Sequence, residues 1–184
     1  MTGIPVLETE RLILRPFELS DAADVQRYAG DYEVAKMTTN IPHPYEDGMA
    51  EEWIGTHEKQ FVEKSELTLA ITHKQEKYLI GAIGLVRIKK EHQHAEMGYW
   101  IGKPFWGKGY CTEAARAMLD YSFNSLNLNR VHANHMVHNP ASGKVMRKIG
   151  MKYEGRLRKH FNKWGEYVDI DIYGILREEF PGLD

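Results

Sequence analysis

Along the 184 residues the apolar positions change period several times, and each change marks an element. Arg11-Leu-Ile-Leu-Arg-Pro-Phe17 reads as a short apolar strand. Ser20 stands where a helix cap belongs, and Asp21 and Asp24 then fall in a first turn that suits acidic groups. A helical period follows over 46–64, with Met49, Trp53, Ile54 and Phe61 on its predicted inner face. Leu67, Leu69 and Ile71 alternate with Thr68, Ala70 and Thr72, the period of a strand, and further strands fit 78–88 and 94–101. The helical period returns over Thr112–Leu126, where Ala114, Ala115, Met118, Leu119 and Ser122 make one stripe. A strand over 130–137 leads to Asn139-Pro140, an Asn cap with Pro at the first helical position. Val145, Met146 and Ile149 face inward from that helix, and Gly150 stops it. Strands over 151–161 and 166–176 finish the chain, with Asn162-Lys-Trp-Gly165 as the hairpin loop. The order β-α-α-β-β-β-α-β-α-β-β predicts an α/β (α+β) fold, a mixed sheet with helices on its faces. No repeat or linker interrupts it, so residues 1–184 read as one domain.

Composition narrows the function. With 42% hydrophobic and 27% charged residues the chain is neither disordered, collagenous nor coiled-coil. A chain of this size buries roughly 70% of its unfolded surface and needs no disulfide or structural metal to fold. Lys plus Arg number 24 against 26 Asp plus Glu, so the basic excess of a nucleic-acid binder is missing. The single cysteine, Cys111, excludes an intrachain disulfide and fits a reducing compartment. No run of about 18 apolar residues spans a membrane. The start, Met1-Thr-Gly-Ile-Pro5, lacks the pattern of a secretory signal. The expectation is a cytoplasmic protein.

The candidate chemistry centres on Gly102-Lys-Pro-Phe-Trp-Gly-Lys-Gly-Tyr-Cys-Thr-Glu113, which joins a strand to a helix. Glycines there let backbone N–H groups approach an anion, and the helix dipole adds positive charge, so the ligand suggested is a phosphate or pyrophosphate. A Walker A loop fits until its last position, where Gly109 replaces the hydroxyl that would hold Mg²⁺. A dinucleotide G-x-G-x-x-G fits only Gly107 and Gly109, because Thr112 takes the third glycine's place.

A third loop fits better. Ala95-Glu-Met-Gly-Tyr-Trp-Ile-Gly-Lys-Pro-Phe-Trp-Gly-Lys-Gly-Tyr-Cys-Thr-Glu-Ala-Ala115 resembles the signature of the GNAT acetyltransferase superfamily, and more narrowly its RimJ/RimL-like branch of ribosomal-protein N-terminal acetyltransferases. The segment Asn139-Pro-Ala-Ser-Gly-Lys-Val-Met-Arg-Lys-Ile-Gly-Met-Lys-Tyr-Glu-Gly155, the opening Leu7-Glu-Thr-Glu-Arg-Leu-Ile-Leu-Arg-Pro16 and the closing Tyr167-Val-Asp169 resemble it too. The family loop [QR]-x-x-G-x-[GA] lands on Trp106 to Cys111, with Trp106 and Cys111 as departures at its two ends. The resemblance implies a mostly antiparallel sheet of about seven strands with helices on both faces, and acetyl-CoA as co-substrate without a metal. It implies cofactor contacts along Trp106, Gly107, Lys108, Gly109, Tyr110, Cys111 and Thr112, at Trp100 and Ile101 of the preceding strand, and at Asn139 and Ser142. That strand is expected to splay from the one over 130–137, leaving backbone N–H groups free near the thioester as an oxyanion hole.

Acetyl transfer to an amine needs a neutral amine, a donor for the oxyanion and a donor for the leaving thiolate. An α-amine, pKa about 8, is easier to deprotonate at neutral pH than a lysine at about 10.4. Glu96 is the leading base, sharing a strand face with Gly98 and Trp100, and an aromatic neighbourhood raises a carboxyl's pKa toward the useful range. The alternative is a solvated strand glutamate or one end of an ion pair. Ser142 matches the serine that RimL-like enzymes place near the sulfur, cast here as hydrogen-bond donor to the thiolate. The alternative is a first-turn helix residue. Tyr153 is read as core.

Other groups draw blander readings. His132, His135 and His138 suggest ligand spacing, but on a strand His135 points opposite to the others, which speaks against a metal site. His92 and His94 sit at a turn and read as solvated, and Cys111 as packing. Arg156, Arg158, Lys159, His160 and Lys163 form a basic lip on the final hairpin, for acidic acceptors or simply solvated. The predicted activity is acetyl transfer from acetyl-CoA to a primary amine in a ternary complex. The acceptor is a protein N-terminus or a small amine, with no membrane and no nucleic acid as direct partner. A non-catalytic acyl-CoA sensor is the competing reading, and pairing of C-terminal edge strands offers a homodimer.

Overall fold

The computed structural model describes residues 3–183, so the reading of the first two residues, Met1 and Thr2, lies outside them. Its strands are β1 (Leu7–Glu8), β2 (Leu12–Arg15), β3 (Leu67–His73), β4 (Leu79–Lys89), β5 (His94–Ile101), β6 (Arg130–Met136), β7 (Lys152–Lys163) and β8 (Glu166–Leu176). The helices are α1 (Ala22–Ala29), α2 (Tyr32–Ala35), α3 (Met49–Val62), α4 (Tyr110–Asp120) and α5 (Pro140–Lys148). The strands form one sheet in the order β1-β2-β3-β4-β5-β6-β8-β7. Neighbours run antiparallel except β5 and β6. The expected mixed, mostly antiparallel sheet is present, with the two-residue β1 and the one-turn α2 added to the elements the periods predict.

Two apolar layers sandwich the sheet. Leu12, Leu14, Leu69, Ile71, Leu85 and Met97 are buried with Ala114, Met118 and Met146, which places α4 and α5 on one face. Ala70 and Leu79 are buried with Val25, Ala29, Ala50 and Ile54, which places α1 and α3 on the other. Along 67–73, Ala70 and Thr72 are as inaccessible as the Leu69 and Ile71 with which they alternate, because helices cover both faces. Thr72 satisfies its hydroxyl by donating to the Ile13 carbonyl at 2.9 Å.

Two local readings also move. Ser20 is not the cap; a 3₁₀ turn over Leu19–Asp21 precedes α1, and the buried Asp21 carboxylate accepts from the Glu18 N–H at 2.8 Å while pairing with Arg15 at 2.8 Å. Position 21 is drawn inward by the arginine at the end of β2, which the helix period alone cannot reveal. In α3 the most buried side chains are Ala50, Ile54 and His57, with Met49, Trp53 and Phe61 half-buried. The C-terminal half follows the sequence closely: Asn139 caps α5 by accepting from the Ser142 N–H, and Gly150 takes φ +91° after it.

Only three residue pairs join β5 to β6, His94 with Arg130, Ala95 with Val131 and Glu96 with His132. Beyond Glu96, β5 stays paired to β4 as far as Ile101, while β6 stays paired to β8 as far as Met136. The sheet therefore opens at this point into a wedge, the predicted splay.

Candidate active site

The wedge leads into a cavity of about 1000 Å³ that reaches both faces of the sheet. Of the residues singled out in the sequence, Glu96, Trp100, Ile101, Trp106, Gly107, Gly109, Tyr110, Cys111, Thr112, Asn139 and Ser142 line it. Lys108 does not: its ammonium lies 5.7 Å from the Phe105 ring centre, outside the cavity.

The loop before α4 is shaped by backbone rather than side chains. Gly107 and Gly109 take φ of +74° and +81°, a region that costs an L-residue roughly 1–2 kcal/mol. Gly109 occupies the cap position and, being glycine, offers no side-chain acceptor, so the first N–H groups of α4 face the cavity mouth unclaimed. The one acidic group of that first turn, Glu113, is turned away and tied down. It accepts from the Thr9 hydroxyl at 2.6 Å and the Arg11 N–H at 2.8 Å, and pairs with the Arg11 guanidinium at 2.7 Å. Burial pushes its pKa up, but the bonds from Thr9 and Arg11 outweigh that and hold it below the ordinary carboxylate value. Arg11 also donates to the Lys108 carbonyl at 3.0 Å, so the start of β2 braces the loop. At the other end Trp106 Nε1 donates to the Ile101 carbonyl at 2.7 Å. A pyrophosphate fits this cradle on its own chemistry. The exposed Lys144 and Lys148, one turn apart on α5, line the same side and escaped the sequence reading.

The wedge holds two polar clusters on opposite sheet faces. On β5, Glu96, Gly98 and Trp100 share the α1–α3 face, where Trp100 packs with the second apolar layer. Glu96 accepts from Asn134 Nδ2 at 2.7 Å and from Arg87 at 2.7 Å, with His132 Nε2 at 3.8 Å. The expected aromatic surrounding of Glu96 is thus replaced by polar partners from β4 and β6. On the α4–α5 face Tyr99 puts its hydroxyl 3.1 Å from Ser142 Oγ and donates to the Ser142 carbonyl at 3.2 Å. Burial pushes the Tyr99 phenol well above its ordinary pKa, so it remains a protonated donor. Tyr99 was missed because its partner lies 43 residues away and becomes visible only through the crossover of α4 and β6.

The remaining candidates are placed as follows. Tyr153 is exposed, not core, because β7 forms the outer edge of the sheet; its ring meets Tyr173 edge-on. His135 points under α5 while His132 faces Glu96, and among the described residues no cluster of metal-binding side chains exists. His92 is exposed, but His94 is half-buried against His132. Burial raises the Cys111 thiol far above its ordinary pKa, which matches a packing role rather than a reactive one. On the basic lip, Arg156 pairs with Asp171 at 2.7 Å and Lys163 is buried, donating to the Ile41 carbonyl at 3.0 Å. Arg158, Lys159 and His160 remain exposed.

The acetyltransferase (GNAT) domain family matches residues 11–152. The chain belongs to the GNAT acetyltransferases. The uncharacterized N-acetyltransferase p20 of Bacillus licheniformis is 36% identical over 177 residues, covering 96% of this chain and 98% of the relative. The putative ribosomal N-acetyltransferase YdaF of Bacillus subtilis is 38% identical over 104 residues, covering 56% of this chain and 57% of the relative. A crystal structure of the spermidine N-acetyltransferase from Vibrio cholerae, in complex with CoA and spermine, aligns with a TM-score of 0.80 at 27% identity, covering 93% of this chain and 98% of the other. This GNAT protein is an acetyl-CoA-dependent acyltransferase, and among its described residues no helix is long and apolar enough to cross a membrane.

Proposed function

We propose that the chain acetylates a primary amine, a protein N-terminus or a small amine, by direct attack in a ternary complex. The supporting observation is the wedge itself: one cavity joins Glu96 on the α1–α3 face to the Tyr99–Ser142 pair on the α4–α5 face. Acetyl-CoA supplies the thioester. In this reading the N–H groups around Gly107, Gly109, Tyr110, Cys111 and Thr112 hold its pyrophosphate, with Trp106 bracing the loop and Lys144 and Lys148 facing phosphate charge. Trp100 and Ile101 flank the pantetheine arm, and Asn139 positions Ser142 by capping α5. The amine enters from the α1–α3 face, where Glu96 takes its proton, while Asn134 and Arg87 fix the carboxylate's orientation. Backbone N–H groups freed by the divergence of β5 and β6 stabilise the oxyanion, and Ser142 with Tyr99 donates to the departing thiolate. Both donors are weak acids, so they stabilise the thiolate rather than fully protonating it. The reaction belongs in the cytoplasm, which a lone cysteine suits. The open edge at β7 is where a second copy pairs, which sedimentation of the full chain reads.

The test is CoA release against a panel of amines and N-terminal peptides, with Cys111→Ser as the control for the protein's own thiol. Glu96→Gln is expected to lower kcat by about 10²-fold or more, with acetyl-CoA affinity unchanged. Tyr99→Phe is expected to lower kcat about tenfold through the thiolate step. Unchanged kcat in Glu96→Gln removes Glu96 as the base.

A further inference from the structure

The acceptor side of the cavity has a composition that restricts what enters it. Its wall is made by Val25 of α1, Met37 and Ile41 of the segment after α2, Met49 and Trp53 of α3, and Trp100 of β5. Thr38, Thr39, Asn40 and Thr56 add polarity without charge. Among the described lining residues, the acidic side chains are Glu52 and Glu96 and the lysines are Lys144 and Lys148. Both lysines belong to α5, on the opposite sheet face. Glu96 is already matched by Arg87 at 2.7 Å, and Glu52 is exposed. The apolar wall between them carries no carboxylate.

Resting on the acetyl-transfer reading above, we infer that the acceptor is a lone primary amine borne within a few bonds of an apolar group, branched aliphatic or aromatic. The amine arrives as an ammonium, finds Glu96 at the wedge, and leaves its apolar body against Met49, Trp53 and Trp100, where burial is favourable. A second ammonium placed along this wall would lose water with the exposed Glu52 as its one further carboxylate, a solvent-screened pair that offsets little of the cost of burying charge. An acidic acceptor would meet Glu52 and Glu96 and no free cation. The site thus disfavours polyamines, whose extra charge is at best weakly paired, and acidic peptides, whose charge is unpaired, the repulsive half of specificity.

Pentylamine and 1,5-diaminopentane isolate this claim, since they share a chain and an amine of similar basicity and differ by one ammonium. Wild-type protein saturated with acetyl-CoA is expected to show a kcat/KM at least about tenfold higher for pentylamine, and higher still for phenethylamine. Met49→Glu places a carboxylate in the wall at the first turn of α3, where the helix dipole tolerates it, and is expected to narrow or reverse that ratio. The wild-type ratio stands as a test even if this variant folds poorly. Leucinamide against a leucine-initiated hexapeptide separates the sources of this chemistry: a higher kcat/KM for the peptide assigns a protein N-terminus, and the reverse a free amine. Equal or faster acetylation of 1,5-diaminopentane or spermidine, with product formed, overturns the inference and leaves acetyl transfer intact. No acetylated product from any amine, with acetyl-CoA bound by calorimetry, overturns the transfer reading and this inference with it.

Discussion

The two sides of the cavity are built by different means. The side proposed for the cofactor comes from two stretches, 98–112 and 139–148, and the groups it offers are largely backbone N–H atoms exposed by positive-φ glycines and by an uncapped helix start. The side proposed for the acceptor is gathered from α1, the segment after α2, α3, β5 and β6, and its character lies in side chains. A pyrophosphate is a fixed shape that a fixed backbone can hold, whereas an acceptor is matched by whichever side chains the helices bring over the sheet. Substitutions on the first side should therefore act through conformation, and on the second through chemistry.

The largest conformational effect is expected on the cofactor side. Gly109→Val puts a β-branched residue at φ +81°, and acetyl-CoA affinity by calorimetry is expected to fall about 10- to 100-fold, matching roughly 1–3 kcal/mol of strain. Retained affinity would show that the cradle does not depend on its backbone. A second substitution tests how tightly α5 is seated. A Cβ on Gly143 would lie 2.6 Å from His135 Nε2, so Gly143→Ala is expected to cost about 1–3 kcal/mol in urea denaturation and to move Ser142 with the helix. His135→Ala in the same chain should recover most of that loss; additivity would mean the two do not touch.

The smallest effect belongs to the acceptor-side helix. His57 is wedged between Phe17 and Trp53, and burial pushes its pKa from the ordinary 6.5 down to about 4. Between those values the unfolded chain takes up a proton that the folded chain refuses. Stability is therefore complete above about pH 6.5 and falls as pH drops toward about 4, by on the order of 1 kcal/mol. His57→Leu should flatten that slope in thermal denaturation between pH 4.5 and 6.5; an unchanged slope would assign it to other groups.

What could be read in advance follows the same division. Gly107, Gly109, Asn139, Pro140 and Gly150 declare themselves because each solves a local problem, a left-handed turn, a cap or a stop, within a few residues. Glu96 was found by its place on the strand, but not Arg87 and Asn134, which reach it from neighbouring strands. Tyr99 and Ser142 are each visible in the sequence, yet their meeting is not. Tyr153 was misread because an apolar-looking residue in a strand gives no sign of whether that strand is central or at the edge.

The sequence by itself determined the order of the elements, the loop that precedes α4, the cap of α5 and hence the family, because local hydrogen bonding and backbone freedom depend on near neighbours. Only the tertiary structure decided that β5 and β6 part after three pairs, that one cavity joins Glu96 on one sheet face to the Tyr99–Ser142 pair on the other, and that an apolar wall with two acidic groups lines the side proposed for the acceptor. Those outcomes depend on sheet order and on which helix covers which face. They are set by the burial of the whole chain at once and leave no local trace in the residues that carry them.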